Sequence, residues 1–432
     1  MTDFTLVLVF ITLLLFFLAS GVWVGLALLS TAVVGIMLFT PRPAGDAMAT
    51  VVWSTSTGWG LTALPLFIWM GEILFRTRLS ENLFRGLSPW LSRLPGGMLH
   101  VNVAGCGLFA AVSGSSAATA VTVGKISIPE LRKRHYPERM IVGTLAGSGT
   151  LGLLIPPSII LIVYGVTVNE SITALFMAGI LPGIMMALLF MAYIAVYALL
   201  RPQTMPQADP PLPWRQRMIE SWQLLPVVGL IIAVLGSIYL GFATATEAAV
   251  LGVVGALIIS LVQGALSWSS FKESLLGATL TSCMIGLILM GAAVLTLAMG
   301  YTGIPRNIAN WISGMGLTPV ELIFALTIFY IILGCFLDGI SAVVLTMAVV
   351  EPLVRMMGFD MIWFGIYLVL VVEMAQITPP IGFNLFVLQG MTRHDMAYIS
   401  LAALPMFLLL CLGVVILLIV PEIATFLPQT MQ

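Results

Sequence analysis

The sequence predicts an all-α polytopic membrane protein built from two inverted repeats, each with a re-entrant helical hairpin and a discontinuous helix. Mean hydropathy is +1.12 and charged residues make up 8% of the chain, whereas soluble domains carry about 25%. A double proline also occurs twice inside long apolar segments, at Pro156-Pro157 and at Pro379-Pro380. Each pair removes two backbone donors and breaks a helix. Such breaks are tolerated in lipid only where protein or a watery cavity satisfies the backbone.

The two halves of the chain align at a nearly constant offset, which indicates an internal duplication. Pro156 and Pro379 lie 223 residues apart, and Ser116 and Ser341 lie 225 apart. Four further pairs follow the same ladder: Gly21 with Gly241, Gly35 with Gly255, Trp90 with Trp311, and Gly114 with Gly339. Paired helix breaks in the two halves are typical of the binding site of a secondary transporter. We therefore expect a first repeat at 1–200, a linker at 201–217 and a second repeat at 218–432.

Apolar windows long enough to cross a bilayer predict five crossings in each repeat. In the first repeat they lie at 4–19, 22–40, 59–75, 140–165 (interrupted) and 174–199. In the second they lie at 219–240, 245–264, 276–300, 362–388 (interrupted) and 397–420. The segment 4–19 lacks a basic leader and a cleavage motif, so we expect a retained helix.

Two kinds of segment lie between the third and fourth crossings of each repeat. The hairpins are predicted at 98–128 and 319–352, where apolar sequence is interrupted by small residues. Each hairpin follows a shorter arm, at 77–95 or 302–316. Charged and apolar residues at helical spacing favour interfacial helices for these arms, although ordinary loops with a short helix are the alternative. An arm at this place would link a moving part to a fixed part.

Charge distribution predicts the orientation of the two repeats. Five crossings per repeat place the repeats in opposite orientations. With the N-terminus outside, most Lys and Arg residues fall in inner loops, and only Arg42, Arg306 and Arg355 remain outside. This follows the positive-inside rule and makes the Pro-rich linker 201–217 cytoplasmic.

Enzymatic and cofactor motifs are absent from the sequence. It contains no phosphate-binding G-x-x-x-x-G-K-[ST] motif and no H-E-x-x-H motif, so we expect neither ATP hydrolysis nor an enzyme. The four cysteines lie far apart in apolar sequence, which predicts neither disulfides nor a metal site. A net charge of −1 gives no basic surface for nucleic acid. Transport would then be driven by an ion gradient or by another subunit.

Polar residues of the apolar segments gather at four places, which form two pairs of a hairpin tip and a helix break. The first tip is 113–116, before the break at 156–157, and the second tip is 338–341, before the break at 379–380. Unwound carbonyls and hydroxyls coordinate Na⁺, while half-helix N-termini point amides at anions. The alternative is that small residues at these places only allow close helix packing.

Carboxylates within apolar segments are costly and therefore informative. Asp338 and Glu373 lie nearest the second tip and break, and either would serve as a cation ligand, a proton carrier or a helix-orienting group. Glu72 and Glu247 lie away from both proposed sites. We interpret these two as structural hydrogen-bonding groups.

Four motifs then identify a family resemblance that covers nearly the whole chain. They are AVSGSSAATAVTVGKISIPEL at 111–131, GSGTLGLLIPPSIILIVYG at 147–165, GFATATEAA at 241–249 and EMAQITPPIGFNLFVLQG at 373–390. The chain resembles the large membrane subunit of tripartite ATP-independent periplasmic (TRAP) transporters, the DctM-like family. One departure is Glu373, where many relatives carry a neutral residue.

The resemblance implies a fold, a mechanism and partners. The implied fold is similar to that of the divalent-anion/sodium symporters of the ion transporter superfamily, with a scaffold and a transport domain that moves as an elevator. It implies Na⁺-coupled uptake of a small organic acid (a carboxylate, sugar acid or sulfonate) across the bacterial inner membrane. A periplasmic substrate-binding protein would deliver the substrate, and a separately encoded small four-helix subunit would pack against the scaffold. Apart from Na⁺ as the coupling ion, no cofactor is implied.

Carried over onto this sequence, the resemblance and the polar clusters give two sets of candidate site residues. The candidate Na⁺ ligands are Ser113, Ser116, Gly149, Pro156, Gly339, Ser341, Gln376 and Thr378. The candidate substrate-binding residues are Gly114, Ser115, Thr150, Pro157, Asp338, Glu373 and Pro379. The rival hypotheses are a self-sufficient Na⁺/anion symporter of the same superfamily, a channel, and an integral membrane enzyme.

Overall fold

The computed structural model describes residues 3–41, 43–77, 79–206, 213–380 and 382–431. Arg42, one of the three outer charges, lies outside these residues, as does Arg78 of the first predicted arm. Ile381 and linker residues 207–212 also lie outside them. Within the described ranges the secondary structure is helical and contains no strand. The prediction of an all-α protein is confirmed.

Over its described residues, the first half of the chain forms ten α-helices. They are α1 Asp3–Ala19, α2 Val24–Phe39, α3 Ala44–Ser56, α4 Ala63–Phe75, α5 Leu79–Leu91, α6 Leu99–Ser113, α7 Ser116–Lys133, α8 Glu138–Leu154, α9 Ile159–Val168 and α10 Ile172–Leu200. Helix α3 was not predicted, because its Asp, Ser and Thr residues lower its hydropathy. It leads into the crossing that contains α4 with a bend of 49°.

The second half forms eleven α-helices within the described residues. They are α11 Trp214–Ser221, α12 Leu225–Tyr239, α13 Ala245–Val262, α14 Trp268–Thr302, α15 Ile304–Gly314, α16 Pro319–Gly334, α17 Gly339–Met356, α18 Met361–Gln376, α19 Phe383–Thr392, α20 Met396–Ile419 and α21 Glu422–Thr430. The predicted linker was too long, because residues 214–217 already belong to α11. Helix α21 was not predicted.

By length and composition, six helices of the described residues are long and apolar enough to cross a membrane, or eight if each bent pair counts as one span. The sequence predicted ten crossings. The difference arises partly because α1 has 17 residues and α2 has 16. At 1.5 Å per residue such helices are about 25 Å long, shorter than the ~30 Å hydrocarbon core.

The helices pack as two groups. The first, here called the scaffold group, comprises α1–α4 and α12–α14 and is centred on contacts of α14 with α2 and α4. The second, the hairpin group, comprises α6–α10 and α16–α20 and is centred on α8 and α18. Glycine allows the closest crossings: a Cβ atom at Gly291 would lie 2.3 Å from the carbonyl oxygen of Gly25. Small residues at helix crossings are typical of membrane interiors.

Helices α5 and α15, at the predicted arms, contact both groups. Helix α5 packs against α6 and α7 of the hairpin group, against α4 of the scaffold group and against α11, while α15 packs against α17, α14 and α1. On α5, Leu83 is buried and the exposed pair Arg85–Glu81 forms an ion pair of 2.8 Å. Helix α5 is therefore amphipathic, and each arm joins a helix of the scaffold group to a hairpin.

Candidate functional site

The first hairpin tip lies between α6 and α7, and hydrogen bonds of its own hydroxyl groups hold its backbone in place. Gly114 ends α6 in the left-handed region, with φ of +60°. The Ser115 side chain then caps α7 by accepting a hydrogen bond from the Ala118 amide. The Ser113 and Thr119 hydroxyls are 2.9 Å apart, and Thr119 donates to the Ser115 carbonyl at 2.7 Å. Thr119, which the sequence analysis did not select as a ligand, therefore shapes the tip.

The first helix break lies directly against this tip. Helix α8 ends at Leu154 and α9 begins at Ile159, with a cis bond between Pro156 and Pro157. The Ile159 amide donates to the Gly114 carbonyl at 3.5 Å, and a Cβ atom at Gly114 would lie 2.8 Å from the Pro157 carbonyl oxygen. Both prolines are buried. A side chain at Gly114 would therefore push tip and break apart.

The second tip lies between α16 and α17 and is more open. Asp338 is exposed, and its carboxylate caps α17 by accepting hydrogen bonds of 3.1 Å from the amides of Ile340 and Ser341. The prediction that Asp338 is a buried carboxylate was wrong, because hydropathy averaged over an apolar window does not resolve one exposed residue within it. Its observed contacts are those of a helix cap.

The second break spans 377–382, between α18 and α19, and also contains a cis bond, between Pro379 and Pro380. The Thr378 hydroxyl donates to the Met374 carbonyl at 2.6 Å, which leaves its oxygen lone pairs available. The Cys335 thiol of the second tip lies 3.5 Å from the Pro379 carbonyl oxygen. In contrast to the first break, both prolines are exposed.

The two tip–break pairs meet through a buried hydrogen bond. The Ser116 hydroxyl, at the start of α7, donates to the Gln376 carboxamide oxygen, at the end of α18, at 2.6 Å. A Cβ atom at Gly339 would lie 3.3 Å from the Gln376 amide nitrogen and 3.4 Å from the Ile160 side chain. Residues from both tips and both discontinuous helices thus converge on one place. Here the Ser341 hydroxyl, at the start of α17, is fully buried and has no hydrogen-bond partner among the described residues.

Glu373 links the two discontinuous helices a little less than one turn before Gln376 on α18. It is fully buried on α18, and one of its carboxyl oxygens lies 3.5 Å from the Thr150 hydroxyl of α8. Thr150 also donates to the Gly147 carbonyl at 2.7 Å, so its single proton is already engaged. The other Glu373 oxygen has no hydrogen-bond partner among the described residues.

Two candidate residues of the first break lie elsewhere than predicted. The resemblance places Gly149 in the first break and Thr150 is predicted just before the double proline, but both lie within α8, which continues to Leu154. A carbonyl inside a helix already accepts an intrahelical hydrogen bond, so the Gly149 carbonyl is not a free cation ligand. Instead, Gly149 packs against Ala120 of α7, where a Cβ atom would approach to 2.9 Å.

A cavity of about 270 Å³ separates the first hairpin from the scaffold group. Ser113 and Ser115 line one wall, and Glu72 of α4 and Thr281 of α14 line the other. The prediction that Glu72 lies away from both sites was wrong, although its ion pair with Arg76 fits the structural role we expected. Because Arg76 follows at the i+4 position, the sequence favoured a structural pair and gave no sign of the cavity.

The comparisons with known proteins agree on one family. Residues 11–423 match the family described as "Tripartite ATP-independent periplasmic transporter, DctM component". The C4-dicarboxylate TRAP transporter large permease protein DctM of Pseudomonas aeruginosa is 31% identical over 91% of this chain and 92% of its own length. The ectoine/5-hydroxyectoine TRAP transporter large permease protein UehC of Ruegeria pomeroyi is 29% identical, covering 93% of each chain.

Other similarities extend this result. The isethionate TRAP transporter permease protein DctMQ of Oleidesulfovibrio alaskensis is 31% identical over 95% of this chain and 64% of its own length. In fold, the chain is similar to the YdaH transporter of Alcanivorax borkumensis, with a TM-score of 0.68, 15% identity and coverage of 94% and 97%. The relatives are transporter permeases and not enzymes. This chain therefore belongs to the DctM family of large permease components of tripartite ATP-independent periplasmic transporters.

Proposed function

We propose that this chain is the permease subunit of a Na⁺-coupled, binding-protein-dependent importer of a small organic acid. The observation that carries the proposal is the convergence of both hairpin tips and both helix breaks at the buried Ser116–Gln376 hydrogen bond. Discontinuous helices that meet in this way supply amides for an anionic substrate and oxygens for Na⁺. The chain is a multi-pass protein of the bacterial inner membrane.

Na⁺ is proposed as the coupling ion because hydroxyl and carbonyl oxygens are closely spaced at the tips and breaks. Ser113, Ser116, Ser341 and Thr378 contribute hydroxyls, and the tip and break carbonyls lie beside them. Gly339, Pro156 and Gln376 complete the Na⁺ set, which no longer includes Gly149 as a carbonyl ligand. Hard oxygen ligands of this kind suit a small cation such as Na⁺.

The substrate is proposed to occupy the cavity between the first hairpin and the scaffold group. Ser115 lines its hairpin side, and Gly114 and Pro157 lie next to the lining residues Ser115 and Ile159. Thr150 and Glu373 lie buried in the hairpin group, and Pro379 is exposed at the second break. The relatives are named for C4-dicarboxylates, isethionate and ectoine. Carboxylates, sugar acids and sulfonates of this size are therefore the proposed substrate class.

An elevator motion is proposed from the division into two helix groups. The hairpin group contains both tips and both breaks, while the scaffold group contains neither. Arms α5 and α15 join the groups at their edges, where a sliding motion would require a flexible link. Ligands move such an equilibrium only if they bind the two positions with different affinity, which Na⁺ at the tips would do by ordering the hairpins.

The same division suggests where the partners bind. The small four-helix subunit is proposed to cover the scaffold group, whose Trp23, Trp53 and Trp59 side chains are more than two-thirds exposed. The periplasmic substrate-binding protein would dock on the outer face. Arg355, in the last turn of α17, contacts Glu170, between α9 and α10, at 3.1 Å. Charge distribution assigns both residues to that face.

The test is uptake by proteoliposomes that contain this chain and its small subunit, with an imposed inward Na⁺ gradient. We expect uptake of a C4-dicarboxylate, sugar acid or sulfonate only when the matching binding protein is present, and none when K⁺ replaces Na⁺. Uptake without the binding protein would indicate a self-sufficient symporter. Flux that is unchanged in K⁺ would exclude Na⁺ coupling.

A further inference from the structure

A groove of about 340 Å³ lies on the outer surface of the hairpin group, between α8, α10 and α20. One end of its lining is polar and aromatic, with Arg139 of α8 and with Tyr193, Tyr197 and Arg201 of α10. The remainder is apolar. This groove is separate from the tips, the breaks and the cavity beside Ser113, and the proposed transport mechanism makes no use of it.

The two arginines of the groove retain unused hydrogen-bonding capacity. Within the described part of the chain, neither forms an ion pair with a carboxylate. Arg139 donates one hydrogen bond of 3.1 Å to the Leu401 carbonyl, which is free because Pro405, one turn further along α20, has no amide hydrogen. A guanidinium has five N–H donors, so most of those of Arg139 remain available. The Arg201 guanidinium lies 5.4 Å from the centre of the Tyr197 ring.

The polar groups of the groove converge at one end. Arg139, Tyr193 and Arg201 line the groove together. The rings of Tyr193 and Tyr197 are 6.2 Å apart, which places the two phenols side by side on α10. Two unpaired cations and two tyrosine hydroxyls form a site that suits a phosphate diester, because guanidinium groups bind phosphate oxygens through charge-assisted hydrogen bonds.

The rest of the groove suits an acyl chain. It continues past Gly143, Pro405 and Met406, and on its α10 side Val196 and Leu200 are 53% and 76% exposed. Exposed aliphatic side chains on a membrane-spanning helix face lipid rather than water. A ligand with an anionic head and an apolar tail therefore matches the groove along its whole length.

We propose that this groove binds an anionic phospholipid, with the phosphate held between Arg139 and Arg201 and one acyl chain along Val196 and Pro405. Basic pockets between membrane helices near the cytoplasmic surface bind such head groups, and the charge distribution places both arginines on that side. The bound lipid would occupy a joint between α8 and α20, one helix from each repeat, and would hold the hairpin group together as it moves.

The experiment is native mass spectrometry of the purified full-length chain, titrated separately with phosphatidylglycerol and phosphatidylethanolamine. We expect tighter binding of phosphatidylglycerol, and a loss of about tenfold or more in Arg139→Gln/Arg201→Gln, because each arginine contributes a favourable interaction with the anionic head. The matched control is Arg215→Gln/Lys272→Gln, which removes the same charge from exposed positions of α11 and α14 and should bind as the wild type does.

Three results would overturn the proposal: equal affinity for the two lipids, equal losses in the two double variants, or glycerol 3-phosphate binding as tightly as phosphatidylglycerol, which would indicate a soluble anion. If Arg139→Gln/Arg201→Gln does not fold, Val196→Trp tests the same groove by filling it and should also abolish the lipid preference. Because the assay needs neither Na⁺ nor substrate, its failure is distinguishable from failure of the proposed transport function.

Discussion

The two helix breaks have the same sequence signature and a similar backbone, yet they differ in how completely their tips cover them. Pro156 and Pro157 are buried beneath the first tip, whereas Pro379 and Pro380 are exposed. The Gly114 carbonyl accepts a hydrogen bond across the first pair, while the second pair is joined by the weaker contact of the Cys335 thiol with the Pro379 carbonyl. In this conformation the first repeat is closed and the second is partly open. The two breaks thus share a local backbone geometry but differ in how far their prolines are exposed.

The largest effect is expected from Gly114→Ala. The left-handed conformation costs alanine about 1–2 kcal/mol, and its Cβ would also lie 2.8 Å from the Pro157 carbonyl oxygen. We expect uptake to fall more than tenfold and the thermal unfolding midpoint to drop.

The control for that variant is Gly316→Ala. Gly316 has φ of +66° but no atom within 4 Å of its Cβ position, so it shares the backbone strain without the contact. Equal effects of the two substitutions on unfolding would show that the closed tip contributes nothing beyond backbone strain.

A smaller but specific effect is expected from Ser116→Ala. This change leaves the buried Gln376 oxygen without a donor, which costs about 1–3 kcal/mol. If Na⁺ stabilises this meeting point, the Na⁺ concentration for half-maximal uptake should rise about tenfold. Ser282→Ala is the control, since that hydroxyl bonds only within α14. A Ser116→Ala chain with unchanged Na⁺ dependence would remove this bond from the coupling mechanism. Thr378→Ala, at the open break, should show a smaller rise.

Glu373→Gln should change the pH dependence more than the maximal rate. A glutamine keeps the shape of the side chain and an oxygen that can accept from the Thr150 hydroxyl, so the chain should fold and transport. If Glu373 exchanges a proton during the cycle, the profile of uptake against pH should become flatter. Glu351→Gln, on the exposed ion pair with Arg355, is the control. An unchanged profile in Glu373→Gln would show that this carboxyl group does not titrate during transport.

The smallest effect is expected from Asp338→Asn. Asparagine caps helices about as well as aspartate, so uptake should stay within twofold of the wild type. Asp338→Ala should lower the unfolding free energy by about 1 kcal/mol through loss of the cap. Near-complete loss of uptake in Asp338→Asn would restore a role for this carboxylate in substrate or ion binding.

The tips and breaks were predictable because their signals are local. A double proline in an apolar segment interrupts a helix wherever it lies. Gly114 and Gly339 mark the hairpin tips because glycine disfavours the interior of a helix. The fold class followed from hydropathy. Helix α3 was missed because its polar residues reduce hydropathy without preventing a helix.

The contacts between the repeats were not predictable from the chain. Ser116 and Gln376 are 260 residues apart, and they come together because α7 and α18 both pack against α8. The exposure of Asp338 and the position of Glu72 at a cavity also depend on packing. Sequence reasoning grouped each tip with the break of its own repeat, whereas the hydrogen bond at the centre joins different repeats.

The Ser116–Gln376 hydrogen bond also shows that the sequences of the two halves have diverged since the duplication. At the offset of 223 residues that relates the double prolines, the counterpart of Gln376 is Leu153, and the counterpart of Ser116 in the ladder is Ser341. The Leu153 side chain has no hydrogen-bond acceptor, and the buried Ser341 hydroxyl has no hydrogen-bond partner among the described residues. An ancestor with two identical halves would have carried either two such bonds or none. The present chain has one such bond among its described residues. Its halves are therefore no longer interchangeable, and a chain assembled from two copies of either half would form a different set of hydrogen bonds at its centre.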